Sequence, residues 1–332
     1  MRISIVGWYG KNNVGDEAFR YVLGEFFKGH EVKFVTPPNR CDRPEIVVLG
    51  GGAVASPFYL ETLPDCPRYA LGIDLAYESE ADLLAKANFR EICVRTKTDA
   101  EALLKKVSCP VHAIPDLAYY IQLQGVGVLG TLRPPTDKPA IGIFATDYVL
   151  PAIDRPISKF ANRGMTFVVG IARELDILAR QGYEIVLVPC STGGYGNDIR
   201  VNLDIAAHMK EQPTVIMETL TPHDMVELIA DLNVAVCMRF HAHIFSMIAG
   251  TPLVSIEFTR KVKLWLKEQG LEDCTAVTSN DSSFHWDGLR EKIKAVDHPH
   301  NVQEFHRLSA IYHDQLCDLK KRVRRDWLGE VA

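Results

Sequence analysis

Three side chains that bind anions or exchange protons occur within five positions near residue 240. Arg239, His241 and His243 stand in the segment MRFHAHIFSMIAGTPLVSIEF, most of whose other residues are apolar. A guanidinium presents a planar fork to a carboxylate or a phosphate, and a histidine exchanges protons near neutral pH. The segment therefore predicts an anion-binding site at Arg239, with His241 beside it as a proton donor.

The surrounding pattern places these residues at the end of a strand. Residues 234–238 are a predicted buried strand and residues 241–249 a helix, so Arg239 lies just past the strand and His241 opens the helix. His243 is about 200° around that helix from His241, which favours a packing role over a catalytic one. Lys261 follows the next predicted strand, residues 253–256, and is the candidate for a second positive charge, with Arg260 and Lys263 as alternatives that the pattern assigns to the solvated face.

Two strand ends in the first half of the chain also carry candidate ligand-binding groups. The segment GWYGKNNVGDEAF brings Asn12, Asn13 and Asp16 to the start of a helix. A helix N-terminus with small and polar residues suits an anion or a polyhydroxyl ligand, although the same pattern also describes an ordinary turn. Gly51 and Gly52 belong to a triple glycine after the apolar run IVVL. They are compatible with close approach to a ligand or with a tight turn.

The spacing of apolar residues predicts what positions these groups. Short continuous apolar strands alternate with amphipathic helices, a pattern typical of a parallel sheet covered on both faces. The Gly- and Pro-rich stretch GVGVLGTLRPPTDKP interrupts the alternation and predicts a linker. We therefore expect two Rossmann-like domains, residues 1–130 and 138–300, with a cleft between them. Residues 301–332 are predicted to form a C-terminal helix, and a course back across the first domain is compatible with this layout. Ligands of such sheets bind at the carboxyl ends of the strands.

Two polar segments are predicted to have no function. The loop PCSTGGYGND, which ends at Asp198, is interpreted as a surface loop, and the basic run KKRVRR near the C-terminus as a solvated helix face.

Composition narrows the class of protein. The net charge of −5 does not favour a nucleic-acid partner, and the eight cysteines contain no CxxC pair. Reduced thiols indicate a cytoplasmic protein without disulfides or a structural metal. No uninterrupted apolar run approaches the roughly 18 residues of a membrane span, so membrane contact is expected to be peripheral at most. A homo-oligomer is compatible with the sequence.

Several motifs taken together resemble the polysaccharide pyruvyl transferase family. They are GWYGKNNVGDEAF, LGGG, VRTKTDAEALL, PDLA and MRFHAHIFSMIAGTPLVSIEFTRKV, in this order over residues 1–270. The resemblance implies a glycosyltransferase-B-like fold. It also implies transfer of a pyruvyl group from phosphoenolpyruvate to two hydroxyls of a saccharide or lipid-linked glycan, which gives a cyclic ketal and phosphate. No cofactor or metal is expected, since phosphoenolpyruvate enters as a substrate.

The resemblance also assigns roles to residues. Arg239, His241, Lys261 and Arg95 would bind the donor, with His241 as general acid or phosphate ligand. Asp16 would act as base or acceptor anchor. The acceptor side would further include the candidates of the first half: Asn12, Asn13, Gly51 and Gly52.

The chain departs from the family pattern at three places, one of which is the segment AVASPFY after GGG, where an acidic context is more usual. The family carries an arginine after the first strand of the second domain, where this chain reads IGIFATDYV. Arg155 and Arg163 are the nearest replacements in sequence. The family's V-R-D pattern is VRT here, so that Arg95 remains and the aspartate is absent.

Two other functions are compatible with these features. A glycosyltransferase of the same fold would use a nucleotide-sugar donor, with Glu257 as a ribose ligand. A non-catalytic glycan-binding protein would keep the same scaffold, and the absence of the family's arginine after the first strand of the second domain is the feature that favours it.

Overall fold

The computed structural model describes residues 1–37, 41–134, 136–149, 164–193, 196–257, 259–278, 284–286, 288–296 and 299–330. The chain divides into two compact units. The first comprises Met1–Gly10, Gly15–Ile121 and Ala310–Ala332, and the second comprises Lys11–Val14 and Gln122–Ser309. Arg155 and Arg163 lie outside the described residues.

The first unit is built on a six-stranded parallel sheet. Its strands are β1 Arg2–Val6, β2 Glu31–Val35, β3 Ile46–Gly52, β4 Arg68–Ile73, β5 Glu91–Val94 and β6 Val111–Ala113, in the spatial order β2-β1-β3-β4-β5-β6. Its helices are α1 Val14–Phe26, α2 Pro57–Leu60, α3 Glu80–Lys86 and α4 Lys97–Leu104. Every residue of β3 is buried, as expected for a strand covered on both faces.

The second unit repeats this architecture. Its main sheet has the strands β7 Ala140–Phe144, β8 Glu184–Leu187, β11 Thr214–Val215, β12 Val234–Cys237, β13 Leu253–Glu257 and β14 Thr275–Thr278, in the order β11-β8-β7-β12-β13-β14. A small hairpin joins β9 Thr192–Gly193 to β10 Gly196–Asn197. The helices are α5 Leu129–Leu132, α6 Gly164–Arg180, α7 Asp198–His208, α8 Pro222–Ala230, α9 Phe240–Ala249, α10 Arg260–Gln269, α11 Leu289–Val296 and α12 Pro299–Leu328. The predicted pair of Rossmann-like α/β sheets is confirmed.

Each sheet has a point where the strand order reverses. In the first sheet the chain moves outward in opposite directions from β1 and β3, and in the second from β7 and β12. Crossover helices on opposite faces leave a crevice at this switch point, outside the carboxyl ends of the two strands. Residues that follow β1, β3, β7 and β12 are therefore the ones that this fold brings to a ligand.

The division of the chain differs from the predicted boundary at residue 130. Glu227 of α8 accepts hydrogen bonds from the backbone N–H groups of Gln124, Gly125 and Val126, at 2.5, 3.1 and 2.8 Å. Asp231 accepts from the N–H of Leu129 at 2.9 Å. These carboxylates fix the first half of the predicted linker to the second unit, which therefore begins at Gln122.

The C-terminal helix contributes to both units. Its residues up to Ser309 belong to the second unit, and Ala310 onward belongs to the first. Within the first unit, the Trp327 ring stacks on Tyr69 with centroids 4.2 Å apart, and its Nε1–H donates to Glu91 at 2.7 Å.

Part of the basic run was wrongly interpreted as a solvated face. Arg324 donates to the carbonyl oxygens of Phe26 and Lys28 after α1, at 3.0 and 2.8 Å, and Arg322 donates to Glu91. These arginines fasten α12 to the first sheet and its helix, whereas Lys321 remains 78% exposed. Within the described part of the chain, no helix combines the length and apolarity needed to cross a membrane.

Candidate active site

Arg239 lies at the switch point of the second sheet, where β12 passes into α9. Its backbone N–H donates to the carbonyl of Phe144 at the end of β7, and its extended backbone makes it the N-cap residue of α9. The guanidinium Nε donates to Asp198 at 2.9 Å. Burial works against the charged form, but the carboxylate of Asp198 outweighs it and raises the pKa of Arg239. Arg239 is therefore a fixed positive charge whose fork is already paired.

Asp198 joins three strand ends into one structure. It is fully buried and accepts hydrogen bonds from the backbone N–H groups of Cys190, Ser191 and Asp147, at 3.1, 3.0 and 3.1 Å. Burial raises the pKa of this carboxyl, and Arg239 opposes the rise. The loops after β7 and β8 and the start of α9 are thus held by one side chain. The predicted surface-loop interpretation of PCSTGGYGND is wrong, because the end of this segment is interior.

Asp147 lies after β7, where the resemblance led us to expect an arginine. One carboxylate oxygen lies 3.6 Å from Nη2 of Arg239, and the other accepts the N–H of Asn197 at 2.9 Å. Two aspartates and one arginine give this cluster a net charge of −1 when all three groups are ionised. A negative charge therefore stands where the family pattern supplies a positive one.

Aromatic and small residues complete the surroundings of Arg239. Its guanidinium lies over the Tyr148 ring at 4.6 Å, and a Cβ on Gly196 would approach Nη2 to 3.4 Å. Among the described contacts of the guanidinium, Nε and Nη2 bind carboxylates while Nη1 is not engaged. The side chain is 11% exposed, so Nη1 is the nitrogen that remains for a ligand.

Two helices begin side by side at this edge without a side-chain cap. Neither Arg239, at the start of α9, nor Thr259, at the start of α10, accepts a hydrogen bond from the first turn. The helices α4, α7 and α8 have such caps, from Thr96, Asn197 and Thr221 respectively. Uncapped N–H groups and the positive end of the helix dipole attract an anion.

His241 and Lys261 both lie close to the ring of Phe240. This ring lies 5.4 Å from the His241 ring and 5.2 Å from Nζ of Lys261. His241 is partly exposed in the first turn of α9, and Lys261 is partly exposed in the first turn of α10. A proton-exchanging group and a lysine therefore flank the two uncapped helix starts.

His243 is part of the scaffold, as predicted from its position on the helix. It is fully buried, with Nδ1 3.0 Å from the carbonyl oxygen of Arg239 and Nε2 2.9 Å from the hydroxyl of Ser255. Since the carbonyl can only accept, Nδ1 donates and Nε2 accepts from Ser255. Burial lowers the pKa of His243 to about 4. The neutral ring ties the start of α9 to β13.

Asn12 and Asn13, predicted on the acceptor side of the first domain, belong to the second unit. Asn13 forms an antiparallel bridge with Ser191, and the carbonyl of Asn12 accepts the N–H of Thr192 at 2.9 Å. Asn12 has a left-handed backbone conformation, with φ at 55°. Backbone pairing with the loop after β8 makes this segment part of the second unit.

Asp16, Gly51 and Gly52 meet at the switch point of the first sheet. A Cβ on Gly52 would lie 3.7 Å from Oδ1 of Asp16, and one on Gly51 would overlap the Phe19 ring at 2.3 Å. Gly51 and Gly52 have φ values of 69° and 82°, which disfavour any side chain. The glycines allow α1 to pack closely on β3, and this packing sets the Asp16 carboxylate above the strand end.

Arg95, predicted to bind the donor, is enclosed in the first unit. Nη1 donates to Asp116 at 2.6 Å and Nη2 donates to Asp74, and the arginine side chain is only 3% exposed. Donor binding would require a guanidinium that two buried carboxylates already hold. The structure thus gathers Arg239, His241 and Lys261 in one unit and places Arg95 and Asp16 in the other.

The model of the polysaccharide pyruvyl transferase family matches residues 13–258. The chain belongs to this family. This pyruvyl transferase family member is also similar in sequence to the amylovoran biosynthesis protein AmsJ of Erwinia amylovora. The two are 26% identical over 187 residues. The match covers 54% of this chain and 44% of AmsJ, so the chain spans less than half of that relative's length.

Solved structures agree with the fold of this family member. The Staphylococcus aureus protein MnaA with UDP superposes with a TM-score of 0.63 at 11% identity, covering 100% of this chain and 98% of MnaA. A putative UDP-N-acetylglucosamine 2-epimerase of Listeria monocytogenes gives 0.61 at 9% identity, covering 99% and 97%. The pyruvyl transferase family member therefore has the glycosyltransferase-B-like fold.

Proposed function

We propose that this chain transfers a pyruvyl group from phosphoenolpyruvate to two hydroxyls of a saccharide. The observation that carries the proposal is the pair of uncapped helix starts flanked by Arg239, His241 and Lys261. Phosphoenolpyruvate has about three negative charges near neutral pH. The positive ends of the two helix dipoles and Lys261 attract its phosphate, and Nη1 of Arg239 supplies a donor for its carboxylate.

Each side chain then has a chemical task. His241 donates a proton to the methylene carbon, which leaves positive charge on C2 of the donor. A saccharide hydroxyl attacks C2, the bond to the phosphate oxygen breaks, and a second hydroxyl closes the ketal. One hydroxyl proton replaces the proton that His241 gave, and the other leaves with phosphate. Asp16 is the proposed base or anchor for the acceptor.

The charge of the Arg239 cluster shapes this proposal. The two carboxylates of Asp198 and Asp147 exceed the single charge of Arg239, so the net attraction for the donor must come from Lys261 and the helix starts. Lys261 therefore has a larger share in donor binding than the family pattern implies. Arg95 has no role in this step because its guanidinium is buried between carboxylates.

A ligand-induced shift of thermal unfolding tests the donor. Phosphoenolpyruvate, inorganic phosphate and UDP-sugars are compared, because any ligand of the folded state raises the unfolding temperature. We expect stabilisation by phosphoenolpyruvate that Lys261→Ala removes and Lys263→Ala retains. Lys263 is the matched control, since it lies on the same helix and is 71% exposed beside Glu257. Stabilisation by a UDP-sugar alone would replace the donor with a nucleotide-sugar, for which Glu257 is the candidate ribose ligand.

Turnover tests the chemistry. Phosphate release from phosphoenolpyruvate in the presence of an acceptor should fall at least about 100-fold in His241→Ala, in the range of effects known for general acids. A His241→Ala protein with near wild-type kcat would remove the acid role. Binding of a glycan without any phosphate release would indicate the non-catalytic alternative.

A further inference from the structure

Aromatic side chains are partly or largely exposed at the carboxyl edge of the first sheet, at its switch point and after the neighbouring strand β4. Trp8 follows β1, Phe58 lies in α2 after β3, and Tyr77 follows β4, so the three residues come after neighbouring strands. Phe58 is 48% exposed and Tyr77 is 71% exposed. We refer to Trp8, Phe58 and Tyr77 as the aromatic platform.

Packing holds part of the platform in place. The Phe58 ring lies 6.3 Å from the Trp8 ring and stands edge-on to the buried Tyr59 ring at 5.1 Å. Pro57 occupies the first turn of α2 and restricts the backbone there. Phe58 is thus oriented by two aromatic neighbours while half of its surface faces solvent.

Carboxylates, not cations, accompany the platform. The segment 53–67 that carries Phe58 contains Glu61 and Asp65 but no lysine or arginine, and Tyr77 is followed by Glu78 and Glu80. The nearest basic residue in sequence to Trp8 is Lys11, which belongs to the second unit. Asp16 lies above the end of β3, at the same switch point. An anionic membrane surface attracts lysine and arginine beside exposed aromatics, so this charge pattern disfavours a lipid.

We propose that the aromatic platform binds a sugar ring of a neutral saccharide acceptor. Sugar rings place their apolar C–H faces on the platform residues Trp8, Phe58 and Tyr77, and their hydroxyls donate to carboxylates such as Asp16. This pairing of apolar surface with a few convergent polar groups is typical of small-ligand sites. The inference rests on the proposed function, because it names where the acceptor of that reaction lies.

Direct binding to a glycan array tests the platform without requiring turnover. The probes are immobilised neutral oligosaccharides of about four to eight sugars, and phosphatidylcholine–phosphatidylglycerol vesicles serve as the lipid arm. We expect binding to at least one glycan, weakened at least about fivefold in Phe58→Ala and in Tyr77→Ser, as for truncated aromatic anchors. Tyr21→Ser is the matched control, an aromatic residue of the same unit that is 42% exposed on α1.

Each outcome decides the inference. Glycan binding that is lost in Phe58→Ala and Tyr77→Ser but kept in Tyr21→Ser supports it. Binding to no glycan, equal binding by all variants, or platform-dependent binding to vesicles overturns it. Circular dichroism melts of Phe58→Ala exclude misfolding as the cause, and Tyr77→Ser changes a mostly exposed residue. Failure of phosphoenolpyruvate to stabilise the protein would count against the donor and leave the glycan result intact.

Discussion

Arg95 and Arg239 occupy similar places in the two units. Each follows a buried strand, precedes a helix and donates to buried aspartates. They differ in position along the sheet, since Arg239 lies at the switch point beside β7 and β12, while Arg95 follows β5, which is two strands from β3 and three from β1. An arginine at a strand end is therefore not by itself a sign of ligand binding.

The helices that follow the two arginines differ as well. Thr96, directly after Arg95, caps α4 by accepting the N–H of Asp99 at 3.0 Å. Arg239 is itself the N-cap residue of α9 and provides no side-chain cap. The first helix thus has a side-chain cap at its N-terminus, and the second has none from its N-cap residue. The two arginines, the buried Arg95 and Arg239 at the candidate site, therefore differ in the helix that follows each of them.

The largest expected effect is on stability in the first unit. Arg95→Met leaves Asp74 and Asp116 buried without their cation, and we expect the unfolding free energy to fall by about 3–5 kcal/mol. Urea unfolding followed by circular dichroism measures it. The variant that also carries Asp74→Asn and Asp116→Asn should recover most of the loss. A loss under about 1 kcal/mol would show that the buried ion pairs do not hold the first unit together.

Arg239→Lys should act mainly on catalysis. Lysine keeps a positive charge opposite Asp198 but loses the planar fork and Nη1. We expect kcat/KM for phosphoenolpyruvate to fall about 100-fold, with a smaller loss of stability than Arg95→Met. Arg200→Lys, at an exposed position of α7, is the control and should keep its activity. Equal activity in both variants would place Arg239 with Arg95 as a structural residue.

His243 should make the second unit sensitive to acid. Its pKa is about 4 in the fold and near 6.5 in the unfolded chain, so unfolding takes up a proton between these values. Stability is then constant above pH ~6.5, falls as the pH decreases, and is about 2 kcal/mol lower at pH 5. Urea unfolding at pH 7 and pH 5 should show a smaller difference in His243→Gln. An unchanged pH dependence in that variant would assign the sensitivity to other groups.

The smallest effect compares two threonines at helix starts. Thr96→Ala removes the cap of α4 and should cost about 1 kcal/mol. Thr259→Ala should cost less, because Thr259 makes no cap hydrogen bond to α10. Melting of the two variants side by side measures the difference. Equal losses would mean that the cap state does not distinguish the two regions.

Local sequence patterns predicted much of the region at the carboxyl ends of the second sheet's strands. The strand before Arg239 and the helix after His241 follow from the apolar run, and the angle between His241 and His243 correctly assigned His243 to the scaffold. The prediction missed β4, where Arg68 and Gly72 interrupt the apolar residues, and it missed α10, which has many charged residues. It also missed Asp147 and Asp198, because each is an ordinary loop aspartate until the fold brings it to Arg239.

The amino-acid pattern was enough to predict two αβ units and the family. Both the alternation of apolar strands with helices and the order of the motifs can be read along the chain without knowing which residues meet in space. Which charges are available for a ligand depended on the fold. Arg95 and Arg239 look equivalent in the chain, and their partners Asp74, Asp116, Asp147 and Asp198 lie 21, 21, 92 and 41 positions away from them. Pairing over such distances results from strand order, and no local pattern specifies it.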